Sequence, residues 1–154
     1  MLGSLKLTVQ ESIRYRGRSG HYSWIAHRLT GLGILFFFII HVWDTANARF
    51  WPEGYIWTIE FFKHPFWGIN EIALMGAVLY HAFNGIRITI LDFKPELWRW
   101  QNRSATIVWL VFALVFIPIA LYQVSDLITF CSNGGAPWAD SCWQWPPFSI
   151  AQLP

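Results

Sequence analysis

Three histidines stand in stretches otherwise too apolar for them. His81 lies in LYHAFNGIRITILD, residues 79–92, and is followed by Asn84, Gly85, Arg87 and Asp92. His27 and His41 lie in an earlier stretch that opens SWIAHRLTG and runs on through GILFFFII. An imidazole in apolar surroundings is a hydrogen-bonded structural group, a proton relay or a metal ligand. No cluster of carboxylates accompanies these histidines, so the strongest ligand chemistry is a pair of imidazoles on a haem iron. A macrocycle would bring its own apolar bulk, and its propionates would need cations, for which Arg28 and Arg87 are available. The residues by themselves leave the three readings of His81 open.

The elements that must position these groups are membrane spans. The 154 residues are 55% hydrophobic and 19% aromatic but only 13% charged, against about 25% charged in soluble domains. The mean hydropathy is +0.35. Residues 68–91 carry Glu71, His81 and Arg87 as their only ionisable groups. At ~1.5 Å per residue these 24 residues reach roughly 36 Å, enough to cross a hydrocarbon core of about 30 Å. Further spans fall at about 24–47 and 105–129, and Pro118 predicts a kink in the latter. Many of the 11 tryptophans, such as Trp24, Trp43, Trp67 and Trp98, lie near the ends of the runs, where aromatic belts form. Residues 48–67 are too polar to span and suit the headgroup layer. The expected fold is therefore all-α, a single membrane domain over 1–154, with an outer tail at 130–154.

Charge sets the expected orientation. The lead-in at 1–22 has Lys6, Arg14, Arg16 and Arg18 against Glu11, and the link at 92–104 has Lys94, Arg99 and Arg103. The 48–67 segment holds two basic residues and the tail none. The positive-inside rule then puts the N-terminus in the cytoplasm and the C-terminus outside a plasma (inner) membrane. Cys131 and Cys142 both fall in the tail, in the compartment where disulfides persist, so a bridge between them is expected. The net charge of +2 is too small to suggest nucleic acid, and lipid is the surrounding medium. The first 23 residues show no secretory signal pattern, and neither repeats nor low-complexity segments are visible.

Spacing refines the site. His27 and His41 are 14 residues apart, which returns them to nearly one helix face about 21 Å apart, with His27 at the cytoplasmic edge. The small residues Thr30, Gly31 and Gly33 let a helix or a flat ring approach that face. His81 precedes Asp92 by 11 residues, which places it roughly 16 Å from the inner end, and Gly85 leaves room beside it. His21 and His64 lie outside the spans and read as solvated interfacial histidines.

His27-Arg28-Leu29-Thr30-Gly31 and His81, Gly85-Ile86-Arg87 and Asp92 carry a resemblance. They are similar to the H-R-x-[ST]-G and H-x-x-x-G-I-R-x-x-x-x-D motifs of cytochrome b membrane anchor subunits of succinate dehydrogenase (succinate:quinone oxidoreductase) and the related fumarate reductases. The resemblance covers about residues 20–128. It implies three transmembrane helices forming half of a haem-binding bundle, with a flavoprotein, an iron–sulfur subunit and a second anchor subunit as partners. It implies His81 as axial ligand of haem b, with Gly85, Arg28 and Arg87 around the cofactor. A quinone site would take Trp24, His27 and Arg28, together with Ser23. Here the sequence departs from the family, for Trp24 stands where a serine is often found and Ser23 is one place earlier. His41 is a second departure, absent from many single-haem members; it matches a distal ligand in two-haem members, with a structural or propionate contact and a shared ligation of the His81 haem as the alternatives. The competing reading is an anchor cytochrome of a hydrogenase or formate dehydrogenase, expected to carry four spans and more histidines.

Overall fold

The computed structural model describes residues 19–134 and Cys142. Helix α1 is Ser19–Phe50, and a short helix α2, Pro52–Phe62, follows after one residue. Helix α3 is Pro65–Phe93, a 3₁₀ helix spans Pro95–Trp100, and α4 is Gln101–Ser132. No strand occurs among the described residues. Segments Gly20–Phe50, Pro65–Phe93 and Pro95–Ser132 are each long and apolar enough to cross a membrane. The chain is an all-α, multi-pass membrane protein.

Prolines and caps set the boundaries. Pro52, Pro65 and Pro95 each stand at a helix start, where a missing N–H costs nothing. His64 precedes Pro65 and takes the extended backbone (ψ 137°) that a following proline favours. Its Nδ1 then accepts from Phe66 N at 3.2 Å and caps α3. His64 is 8% exposed. The solvated role expected for it is thus corrected, because the cap turns the imidazole inward. His21 is in the first turn of α1, stacked on Trp24. Helix α4 runs on through Pro118. The basic lead-in as far as residue 18 and most of the tail lie outside the described residues.

Helix α3 is the central element, packed on both α1 and α4. Tyr80, Leu91, Ala105 and Val108 are its buried apolar contacts with α4 and the bundle core. Tyr80 packs on Trp109 at 4.5 Å between ring centroids and edge-on to Phe112 at 5.8 Å. Towards the other end, Gly76 faces Phe116 and Gly68 faces Leu127, close approaches that a side chain on α3 would fill. Most other large apolar side chains, including Leu32, Leu35, Phe36 and Leu114, face outward. In a bilayer such surface meets lipid tails or other subunits. Cys131, in the last turn of α4, is disulfide-bonded to Cys142.

Candidate functional site

Two H-x-x-x-G segments meet where α1 crosses α3. His27 and Gly31 sit one turn apart on α1, as do His81 and Gly85 on α3, so each pair shares a helix face. The pairs interlock. The His81 ring lies over Gly31, where an added Cβ would come within 2.9 Å of its Cε1. The His27 ring lies over Gly85, at 3.5 Å by the same measure. The two imidazoles stack at 3.9 Å between centroids and 9° from parallel. Each glycine therefore leaves space for the other helix's histidine.

Hydrogen bonding fixes the state of His81. Its Nδ1 lies 3.0 Å from the carbonyl oxygen of His27 and 3.3 Å from the hydroxyl of Thr30. Thr30 is itself turned back towards the carbonyls of Ala26 and His27. A carbonyl can only accept, so Nδ1 carries the proton and Nε2 keeps its lone pair. That is the tautomer a metal-binding imidazole needs, oriented through its second nitrogen. His27 Nδ1, by contrast, is buried with no hydrogen-bond partner in the chain.

Around this pair the polar residues form a lattice through all three long helices. Ser23 is fully buried; its hydroxyl donates to Asn84 Oδ1 at 2.9 Å and lies 2.9 Å from Tyr80 Oη. Its carbonyl accepts from Tyr80 Oη at 3.2 Å and from Asn84 Nδ2 at 3.4 Å. Arg87 continues the lattice to α4. It donates from Nη1 to Asn84 Oδ1, from Nε to Ser104 Oγ and from Nη2 to the Gln101 carbonyl, at 2.9–3.1 Å. Two of these bonds join α3 to α4 and the third stays within α3, a role its place in the motif does not reveal. Tyr80, Gln101 and Ser104 were not among the residues singled out by sequence. The stripe 80, 84, 87, 91 on one face of α3 is the signal that would have found Tyr80.

The four residues expected at a quinone divide between two faces of α1. Ser23 and His27, one turn apart, point into the helix contact. Trp24 and Arg28 point outward, and the Arg28 guanidinium carbon lies 3.9 Å over the Trp24 ring. His21 also stacks on Trp24, at 6.0 Å between ring centroids, and the three form a cluster on α1. Arg28 has no hydrogen bond or ion pair to a described residue. Asp92 is exposed near the end of α3.

The depths of the histidines are corrected by the register of α1 against α3. Because His27 stacks on His81, the two lie at one level. Helix α1 already has eight residues, about 12 Å, before His27. His41 is then roughly 20 Å from the level of His81, not a turn away, and the two cannot bind one iron. His41 is exposed on α1 and stacked on Phe37 at 5.4 Å. No group of three or more His, Cys, Asp or Glu side chains poised for a metal occurs among the described residues. A haem iron asks less of this chain, a single imidazole with a free nitrogen. His81 fits that requirement, and the Nδ1 of His27 is buried beside it without a partner among the described residues.

Residues 9–120 match the family model of the succinate dehydrogenase/fumarate reductase transmembrane subunit. The chain is also 41% identical over 104 residues to the succinate dehydrogenase 2 membrane subunit SdhC of Mycobacterium tuberculosis, an alignment covering 68% of this chain and 76% of that protein.

Proposed function

The chain belongs to the succinate dehydrogenase/fumarate reductase transmembrane subunit family, and from that premise we propose that it is the haem b-binding anchor of a succinate:quinone oxidoreductase. The observation that carries this reading is the hydrogen bond from His81 Nδ1 to the His27 carbonyl, which leaves Nε2 as a metal ligand. His81 would hold the iron through Nε2, with a further ligand from the partner anchor subunit. His27 Nδ1 and Arg28 would serve the propionate side. A bound haem b would supply a one-electron store between the iron–sulfur subunit and the quinone. His41, about 20 Å away in depth, would hold a second, distal haem.

Oxidation of succinate to fumarate releases two electrons and two protons in the flavoprotein, and the quinone takes up two of each. This chain's part is at the quinone. Arg28 donates a charge-assisted hydrogen bond to the quinone oxygen as negative charge builds there. Trp24 fixes the guanidinium in place and offers its face to the ring. His27, on the neighbouring face of the same turn and stacked on His81, is the titratable group that would pass a proton towards the reduced quinone. The same contacts serve a quinol that gives electrons to fumarate, so the family's two directions share this site. The basic lead-in and the 92–104 link support an N-terminus in the cytoplasm and a C-terminus outside.

The test is haem quantitation in the assembled complex. Pyridine haemochrome measurement per flavin should give at least one haem b, and His81→Ala should lose the low-spin b-type spectrum assigned to it. A low-spin spectrum and midpoint potential unchanged in that variant would sink the ligand assignment.

A further inference from the structure

On the side of α3 turned away from the histidines, a groove of about 330 Å³ opens against the 3₁₀ helix and α4. Phe83, Ile86 and Ile90 form one wall, Ile107 and Val111 the other, and Trp100 closes the end nearest the 92–104 link. The two polar side chains on its lining, Arg87 and Ser104, are hydrogen-bonded to each other, so the groove offers a chain of apolar matter and little else. Its mouth is different. The guanidinium carbons of Arg103 and Arg99 lie 4.5 and 5.8 Å from the Trp100 ring centroid. Both arginines are exposed, and neither forms an ion pair with a described residue; Asp92 and Glu96, exposed on the same link, leave them unpaired.

An apolar trough one side chain deep, running from the middle of a membrane span to two cations at its end, has the chemistry of a lipid rather than of a peptide. The groove follows α3 from Phe83 to Leu91, roughly 12 Å along the bilayer normal, the direction in which an acyl chain lies. The two arginines stand at the headgroup level, where an anionic phosphate is their natural counter-ion. We propose that this groove is a binding site for an anionic phospholipid, one acyl chain lying between α3 and α4 and its phosphate held by Arg99 and Arg103. A neutral isoprenoid would fill the trough but leave both cations unused. The inference needs only the membrane-spanning helices, and stands or falls independently of the haem and quinone assignments.

The test uses the purified complex with all its subunits, in nanodiscs containing phosphatidylcholine and a trace of phosphatidylglycerol with a photoactivatable diazirine in one acyl chain. Labelling should map to Ile86, Ile90, Ile107 or Val111. Excess unlabelled phosphatidylglycerol should reduce it at least fivefold, and excess phosphatidylcholine should not. In the Arg99→Gln/Arg103→Gln double variant the two lipids should compete equally. Equal competition in the unaltered complex would reduce the site to ordinary boundary lipid and overturn the proposal. Displacement by added quinone but not by phosphatidylglycerol would assign the groove to an isoprenoid tail instead. Absence of label from these four residues, with label elsewhere on the subunit, would show the groove covered by protein.

Discussion

The two ends of this bundle are held together by different physics. Around His27 and His81 the helices are stitched by side-chain hydrogen bonds, from Ser23 through Tyr80 and Asn84 to Arg87, Ser104 and Gln101. In the other half the contacts are apolar, Gly76 on Phe116 and Gly68 on Leu127, with the disulfide beyond them. That half also holds Asp44 Oδ1, Asn47 Nδ2, Trp67 Nε1 and Gln123 Oε1, buried polar atoms without a hydrogen-bond partner among the described residues. Lipid cannot satisfy such atoms. The half around His81 thus closes on itself except at His27, where a cofactor is proposed, and the half around Gly68 leaves these polar atoms without partners among the described residues.

The largest effect that tests this division is on the haems. His81→Ala should abolish one low-spin b-type signal outright, whereas His41→Ala should spare that signal and remove only a second one. If both variants lose the same signal, the separation in depth fails, and with it the division into two halves.

Next in size is the outward cluster on α1. Arg28→Leu should cut quinone reduction at least tenfold, since a lost hydrogen bond from a charged donor is worth about 1.5–3 kcal/mol. Electron transfer from succinate to an artificial acceptor at the soluble subunits should stay nearly intact. Arg28→Lys should fall between, keeping charge but losing the fork of donors. Wild-type quinone rates in both variants would place the quinone elsewhere.

Smaller again is the lattice. Arg87→Met removes two hydrogen bonds to α4 and one within α3, and at about 0.6 kcal/mol for each polar contact between membrane helices the loss is roughly 1 kcal/mol. Thermal unfolding of the complex should register it. Gln123→Leu removes an acceptor with no partner among the described residues and should change stability by less than about 0.5 kcal/mol. An equal loss from both would erase the contrast between the halves.

The smallest effect is chemical rather than energetic. Cys131 and Cys142 should react with maleimide only after reduction, and then with reagent supplied from outside. Reaction from the cytoplasmic side, or without reductant, would reverse the orientation argued from the basic residues.

Much of this was legible in the residues. Long apolar runs interrupted by few charges announce membrane helices, and the two histidine motifs narrow the family because both occur in order. The relative depth of the histidines was not legible. Counting from Asp92 gives a position along α3 only, and the register against α1 depends on a contact between residues 54 positions apart. His64 was misjudged because it lies outside the long apolar spans, although the proline after it marks a helix start where a side chain can turn inward as a cap. Arg87 could be recognised as part of a motif, but not as a bond between helices, since its acceptors on α4 lie 14 and 17 residues further on.

The interlocked glycines carry a mechanical consequence. Each helix holds the seat for a ring borne by the other, and the carbonyl that orients His81 belongs to α1. A slide of α1 by even half a turn would withdraw that carbonyl and push both rings off their seats at once. Whatever grips the first turn of α1 can therefore steer the imidazole of His81 from about 12 Å away, as a tiller moves a rudder through a rigid shaft.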